Sequence, residues 1–415
     1  MKHTILLSSA LLVGVCASAQ TTVTISTGAG NADQTYYSLA NGVQGTAPLA
    51  AWDLGFEINS FNSSILVNTA KGLKAYETGV EVSEWETLTA PDVENWVALQ
   101  NSETNWSEGA LTNGNNLHEP TGLNVGWGNY NMITHTIVGA KIYAIEDLEG
   151  NFRKLRINSL ASGAYSFTFA DIDGNNEQTS TLLKSNFQGK NFGFFNLTTN
   201  STVDQEPVAA EWDLLFTKYI AIINAPEPTP YPVAGVLQNK LVRAMQVDGV
   251  PTAEAMWNSA DMDSAINIIG SDWKTFNTGT LQYDYAQDRT YFVEDRNTNI
   301  WKLIFTGYGG SANGEMTFTQ EMVSSVSVAE EAFGQLAVYP NPSSAGQVNI
   351  ILNSAVRNGQ LTILDRAGRV VRQQLVNGAG ELVQVPVDLA GVQAGLYVAR
   401  LDADGMSLTT RIVVQ

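Results

Sequence analysis

One short pattern occurs twice in this chain and limits the folds that can hold it. Trp52-Asp53-Leu54-Gly55-Phe56 returns as Trp212-Asp213-Leu214-Leu215-Phe216. A strand sends successive side chains to opposite faces, so Trp52, Leu54 and Phe56 are expected on one face and Asp53 on the other. The same holds for Trp212, Leu214 and Phe216. The pattern has company. Tyr36-Tyr37-Ser38-Leu39 precedes the first copy, and Phe194-Phe195-Asn196-Leu197 precedes the second. Tyr143-Ala144-Ile145-Glu146-Asp147 is answered by Tyr291-Phe292-Val293-Glu294-Asp295, and Lys154-Leu155 by Lys302-Leu303, both 148 positions later with no gap between them. The body therefore reads as two degenerate β repeats, residues 20–190 and 191–325.

Turn chemistry agrees with that layout. Asp171-Ile172-Asp173-Gly174 ends a strand in a plain turn, since the spacing of a calcium loop is absent. Ala225-Pro226-Glu227-Pro228-Thr229-Pro230-Tyr231-Pro232 is an extended connection inside the second repeat.

Charge and cysteine content exclude several functions. The formal net charge is −19, and residues 20–335 alone carry −21. Such a body repels phosphate backbones, so a nucleic-acid partner is not expected. The single cysteine, Cys16, lies in a segment expected to be removed. The mature chain then has no disulfide, thiolate metal site or cysteine nucleophile.

That segment opens Met1-Lys2-His3, continues with an apolar run from Ile5 to Val15, and ends Ala17-Ser18-Ala19-Gln20. A basic start, an apolar core and a small-x-small site make residues 1–19 a secretory signal, cleaved between Ala19 and Gln20. Val15 stands where a lipobox wants a small residue, so lipidation at Cys16 is not expected. No later stretch has the ~18 apolar residues of a membrane helix, so the mature chain is expected to lack a transmembrane segment.

A new pattern begins after the linker 326–335. Leu336-Ala337-Val338-Tyr339-Pro340-Asn341-Pro342 breaks regular structure, and short strands follow at the spacing of a small immunoglobulin-like β-sandwich, residues 336–415. They include a hairpin turning at Asp365-Arg366-Ala367-Gly368-Arg369, then Gly395-Leu396-Tyr397, then the terminal Arg411-Ile412-Val413-Val414. These residues closely resemble the C-terminal sorting domain of type IX secretion cargo. The resemblance makes Tyr339, Pro340, Asn341, Pro342, Gly395, Leu396, Tyr397 and Arg411 parts of a sorting signal. It implies the type IX machinery as partner, an outer-membrane lipopolysaccharide anchor as a second, and a destination at the cell surface or in the medium.

The body resembles the HmuY-like family of haem-binding proteins, through Tyr37-Ser38-Leu39, Trp52-Asp53-Leu54-Gly55-Phe56, and the stretch from Tyr143 through Lys154-Leu155-Arg156-Ile157 to Tyr165-Ser166-Phe167. The fold class expected for the whole chain is thus all-β: two HmuY-like antiparallel β-rich repeats followed by the sandwich. Family members hold haem between axial His or Met side chains, so the resemblance implies haem as a cofactor and a small hydrophobic molecule as ligand class. The mature chain has two histidines, His118 and His135. A strand through Met132-Ile133-Thr134-His135-Thr136-Ile137-Val138 would put His135 on an apolar face with Ile133 and Ile137. His118 lies in the loop Gly114–Pro120. His118, His135 and, as a substitute, Met132 are the candidate iron ligands, and Trp127 and Tyr130 the candidate stacking residues. Trp212, Trp257, Trp273 and Trp301 of the second repeat read as core.

No Gly-x-Ser-x-Gly elbow, His-Glu-x-x-His or phosphate loop is present. The expected function is a non-enzymatic binding protein, exported by the type IX system, with haem or another hydrophobic small molecule as ligand. The alternative is a surface adhesion or carbohydrate-binding protein, because nine tryptophans and fourteen tyrosines on a β scaffold stack on sugar rings as readily as on a porphyrin.

Overall fold

In this computed structural model the described residues are 20–59, 62–112, 123–224, 227–324, and 336–414 apart from 342, 344–345, 353–355, 367, 379–382 and 404–405. Two units form, Met1–Ser325 and Val326–Gln415. The expected signal segment, Ala19 included, the linker 326–335, Pro342 and His118 lie outside the described residues. Among the described residues every strand pairs antiparallel, and the helical segments are 3-10 turns of six residues or fewer. None of their helices is long and apolar enough to cross a membrane.

The body holds two large meander sheets. The first runs in the order 178–183, 164–171, 152–161, 143–146, 74–77, 97–99, with the hairpin 128–131/136–139 attached to 152–161. The second runs 21–26, 315–324, 300–308, 289–294, 243–248. Two smaller sheets accompany them, 201–203, 192–196, 54–57, 65–67 and 228–238, 214–224, 33–38, 42–48. The halves exchange strands. Strand Leu54–Glu57 of the first pairs with Phe192–Asn196 of the second, and Leu214–Asn224 of the second pairs with Asp33–Ser38 of the first. Strand Thr21–Ser26 completes the second meander by pairing with Glu315–Ser324.

The two exchanges are built from matching bonds. Asp53 Oδ2 accepts from Leu197 N at 2.7 Å, and Asp213 Oδ2 accepts from Leu39 N at 2.8 Å. Asn68 Nδ2 donates to the carbonyls of Leu49 and Trp52, as Asn239 Nδ2 does to those of Ala209 and Trp212. The cores match as well. Phe56, Tyr143, Leu155 and Phe195 pack together in the first half, and Phe216, Tyr291, Leu303 and Tyr37 in the second. Burying each such side chain contributes roughly 1.5–3 kcal/mol.

The expected strand face needs one correction, made twice. Leu54 and Phe56 enter the main core, but Trp52 packs instead with Leu66, Phe192 and Phe194. Likewise Trp212 packs with Tyr36 and Leu215, away from Leu214 and Phe216. The strands begin only at Leu54 and Leu214, where the aspartate before each accepts from the backbone N–H just past the end of the exchanged strand, Leu197 and Leu39 respectively. The tryptophan ahead of each aspartate is out of phase with the strand. The proline-dense connection is also more regular than expected. Pro228, Pro230 and Pro232 lie in an edge strand opposite Asn224, Ile222 and Ile220. Alternate spacing turns all three missing N–H groups away from the neighbour, the arrangement an edge strand tolerates. Asp171–Gly174 is a plain turn, closed by Gly174 N donating to Asp171 O at 2.9 Å.

The C-terminal unit consists of two sheets, 336–339, 347–352, 383–388 and 370–378, 356–364, 395–403, 406–414. Val348, Ile350 and Val387 of one share a core with Leu361, Ile363, Ala399 and Ile412 of the other. The Asp365–Arg369 turn forms as expected, with Arg369 N donating to Asp365 Oδ1.

Candidate functional site

An open cleft of about 1290 Å³ lies where the two halves of the body meet. Ile58, Val125, Ile137 and Leu160 give it apolar wall, and Tyr130 and His135 stand at its edge. The connection that carries the chain from one half to the other supplies Lys184 and Lys190, and the second half supplies Lys240 and Arg296.

Each cation is held differently. Lys184 Nζ donates to Asn59 O at 2.7 Å and Asn62 O at 2.8 Å, and the residue is only 9% exposed. Burial lowers its pKa to about 8, with Lys240 adding to the fall and Glu57 opposing it. Lys240 pairs with fully buried Glu57, whose carboxylate also accepts from Asn62 Nδ2, Ser107 Oγ and Ser64 N. Lys190 pairs with exposed Asp204. Arg296 Nη1 donates to Lys240 O at 3.1 Å.

His135 is not on a strand. It closes the turn between strands Gly128–Asn131 and Thr136–Gly139, with φ 54°, and is exposed. The expected apolar neighbour Ile133 is 91% exposed and Met132 is 65% exposed. The cause is Asn131, whose Oδ1 accepts from Ile133 N and Thr134 N while its carbonyl accepts from His135 N. Asparagine side chains nucleate turns in this way, and a left-handed φ suits the last turn residue. Of the predicted partners, Tyr130 does meet His135, at 2.7 Å between Oη and Nδ1. Trp127 does not offer a stacking face: it is fully buried in the first core, and its Nε1 donates to Ser63 O. In the second half Trp212, Trp273 and Trp301 are buried as expected, whereas Trp257 is 38% exposed.

Periodicity missed the cations of the cleft, because Lys184, Lys240 and Arg296 come from three separate turns. It also missed a smaller pocket of about 100 Å³, lined by Trp52, Trp106, Trp212, Phe192, Tyr219 and Leu237 from both halves. Glu206 borders that pocket and is 3% exposed. Burial raises its pKa to about 7, against the pull of the Phe192 and Asn191 N–H groups.

Of the predicted sorting residues of the C-terminal unit, Asn341 meets the backbone of the closing strand. Asn341 Nδ2 donates to Arg411 O, and Asn341 Oδ1 accepts from Val413 N, each at 2.8 Å, so the opening motif is stitched to the closing strand. Tyr397 is buried in the strand Gly395–Ala403, and its hydroxyl donates to Gln393 O at 2.7 Å. Tyr339 is 69% exposed.

Residues 337–415 match the family model described as secretion system C-terminal sorting domain. No curated protein matches the chain. Among solved structures, a likeness exists to PorZ, a bacterial surface component of the type-IX secretion system of Porphyromonas gingivalis, at 12% identity and TM-score 0.18, covering 69% of this chain. This chain spans 41% of that one. Another is to a biofilm-associated protein BSP domain, at 14% identity and TM-score 0.17, covering 88% of this chain and 66% of that one. Both are remote likenesses, and nothing about the body follows from them. The C-terminal unit is a type IX sorting domain, and the chain is cargo of that system, delivered to the cell surface or the medium.

Proposed function

We propose that the body is a non-enzymatic binding module that acts after export, and that its ligand is haem or another hydrophobic small molecule seated in the large cleft. The observation that carries this is the cleft itself, which combines a volume of about 1290 Å³, an apolar wall and a histidine at its edge. The resemblance of the Trp-Asp strands to the HmuY-like family supports the same ligand class. His135 fits one axial position: Tyr130 engages Nδ1, and among the described residues Nε2 has no hydrogen-bond partner. Bound haem would supply an iron that accepts a neutral imidazole nitrogen. Met132 shares the turn with His135 and is the nearest described candidate in sequence for a second ligand.

A haemin titration of the mature chain, followed by Soret absorbance, tests this. A saturable shift is expected, lost in His135→Ala and weakened in His118→Ala or Met132→Ala. No shift, or one indifferent to all three substitutions, refutes haem. Carbohydrate is the second reading. It is favoured by the hairpin 274–277/282–285, where exposed Phe276 meets Tyr283 at 5.2 Å and Tyr283 meets Tyr308 at 4.8 Å.

A further inference from the structure

The charges of the body are distributed unevenly. Residues 20–335 hold 36 acidic and 15 basic residues. Four of those 15, Lys184, Lys190, Lys240 and Arg296, line the large cleft, and among the described residues no aspartate or glutamate lines it. A concave wall of one sign concentrates potential, and here the sign is opposite to that of the whole body. Two of the four have their charge balanced, Lys240 by Glu57 from within the core and Lys190 by Asp204. The other two form no direct ion pair, although Glu57 acts on Lys184 from a longer distance. Among the described residues, neither Lys184 nor Arg296 has a carboxylate within 4.0 Å. Lys184 gives two of its three N–H bonds to carbonyls, which fixes the ammonium in place. Arg296 uses one of its five donors on Lys240 O. Holding a cation in a buried position without an acid is costly unless something anionic offsets it.

We propose that the cleft is an oxyanion site, and that its ligand is a small molecule whose carboxylate or phosphate groups are received by Lys184 and Arg296, with Lys190 and Lys240 shaping the field. The site rests on the cleft being where ligand enters, and not on haem. Backbone carbonyls fix one cation, whose ammonium also lies 5.3 Å from the Tyr165 ring centroid, and two of its three N–H bonds go to those carbonyls. A guanidinium with donors to spare takes a carboxylate or phosphate in a bidentate grip. The apolar residues of the same cleft, Ile58, Val125, Ile137 and Leu160, then receive the uncharged part of the molecule.

Calorimetric titration of the mature full-length protein with citrate, and separately with inorganic phosphate, tests the site at low and raised salt. Saturable binding that weakens with salt is expected for at least one of them. Which probe binds more tightly tells carboxylate from phosphate. Affinity should fall roughly tenfold in Arg296→Gln and in Lys190→Gln by a smaller factor, and stay unchanged in Lys74→Gln, which removes the same charge from an exposed pair elsewhere. Lys184→Gln should lose binding too. If that variant fails to fold, Arg296→Gln and Arg296→Lys decide the matter. The proposal is overturned if neither probe binds the wild type, or if Lys74→Gln weakens binding as much as Arg296→Gln. Haemin run in parallel separates the two ideas. Citrate or phosphate binding without a Soret shift removes haem and leaves the oxyanion site. A His135-dependent Soret shift without anion binding does the reverse.

Discussion

Asp53 and Asp213 occupy equivalent places, yet their surroundings differ. Asp53 pairs with Lys71 at 2.7 Å, whereas Asp213 has no ion pair among the described residues, and burial raises its pKa. The backbone bond to Leu39 opposes that rise, so Asp213 works as a hydrogen-bond acceptor held at a desolvation cost. Glu206 bears the same cost of burial. Its pKa in the fold is raised to about 7, while the unfolded chain keeps an ordinary glutamate value. The native state therefore binds the proton more tightly. Stability is greatest below the unfolded pKa, falls as pH rises towards 7, and levels off above it. The fall attributable to this one group is about 3 kcal/mol. Urea midpoints at pH 5 and pH 8 should differ less in Glu206→Gln than in the wild type. An equal difference in both proteins would show that Glu206 is not the group responsible.

At the scale of elements, part of the architecture was legible and part was not. Alternation in Leu54–Phe56 and Leu214–Phe216, and the constant spacing of Tyr143/Tyr291 and Leu155/Leu303, showed repeated β structure. Neither signal says which copy a strand pairs with, because the two copies present nearly the same apolar faces. Asp53 and Asp213 bond across the exchange, and Asn68 and Asn239 brace the chain ahead of each strand within its own half; all four are single polar residues with no period. His135 was misplaced for a related reason. Thr, Ile and Val favour a strand through residues 132–138, but Asn131 holds a turn there by side-chain bonds that propensity does not record. A consequence of the exchange is open to test. Fragments 20–190 and 191–325 each lack the partners of their exchanged strands. Each alone should show little cooperative unfolding, and mixing them should restore a single transition by circular dichroism. Independent cooperative folding of either fragment would contradict the pairing.

For the whole molecule, the sorting domain and the body with its cleft are separate units. In the sorting domain the closing strand Met406–Val414 pairs along all of Gly395–Ala403, places Ile412 and Val414 in the core, and receives Asn341 through its backbone. Deleting residues 408–415 removes these contacts together. The truncated protein should accumulate in the periplasm, read by fractionation and surface proteolysis. Normal surface display after that deletion would refute the assignment of this strand to the sorting signal. The address was legible because its residues are local and ordered in sequence. The body's large cleft was not, because its lining is assembled from turns far apart in the chain.

Strand Thr21–Ser26 is made early and completed late. Thr21 reaches the carbonyl of Gln320, 299 positions away. Until that stretch has emerged, the second meander has a vacancy at its edge and the first strand has nowhere to settle. Closure of the body is thus timed by its last strand rather than its first, and such long-range pairing is slow. The first meander, built from neighbouring hairpins between residues 74 and 183, has no such wait, so the two sheets of the body are completed at different points along the chain.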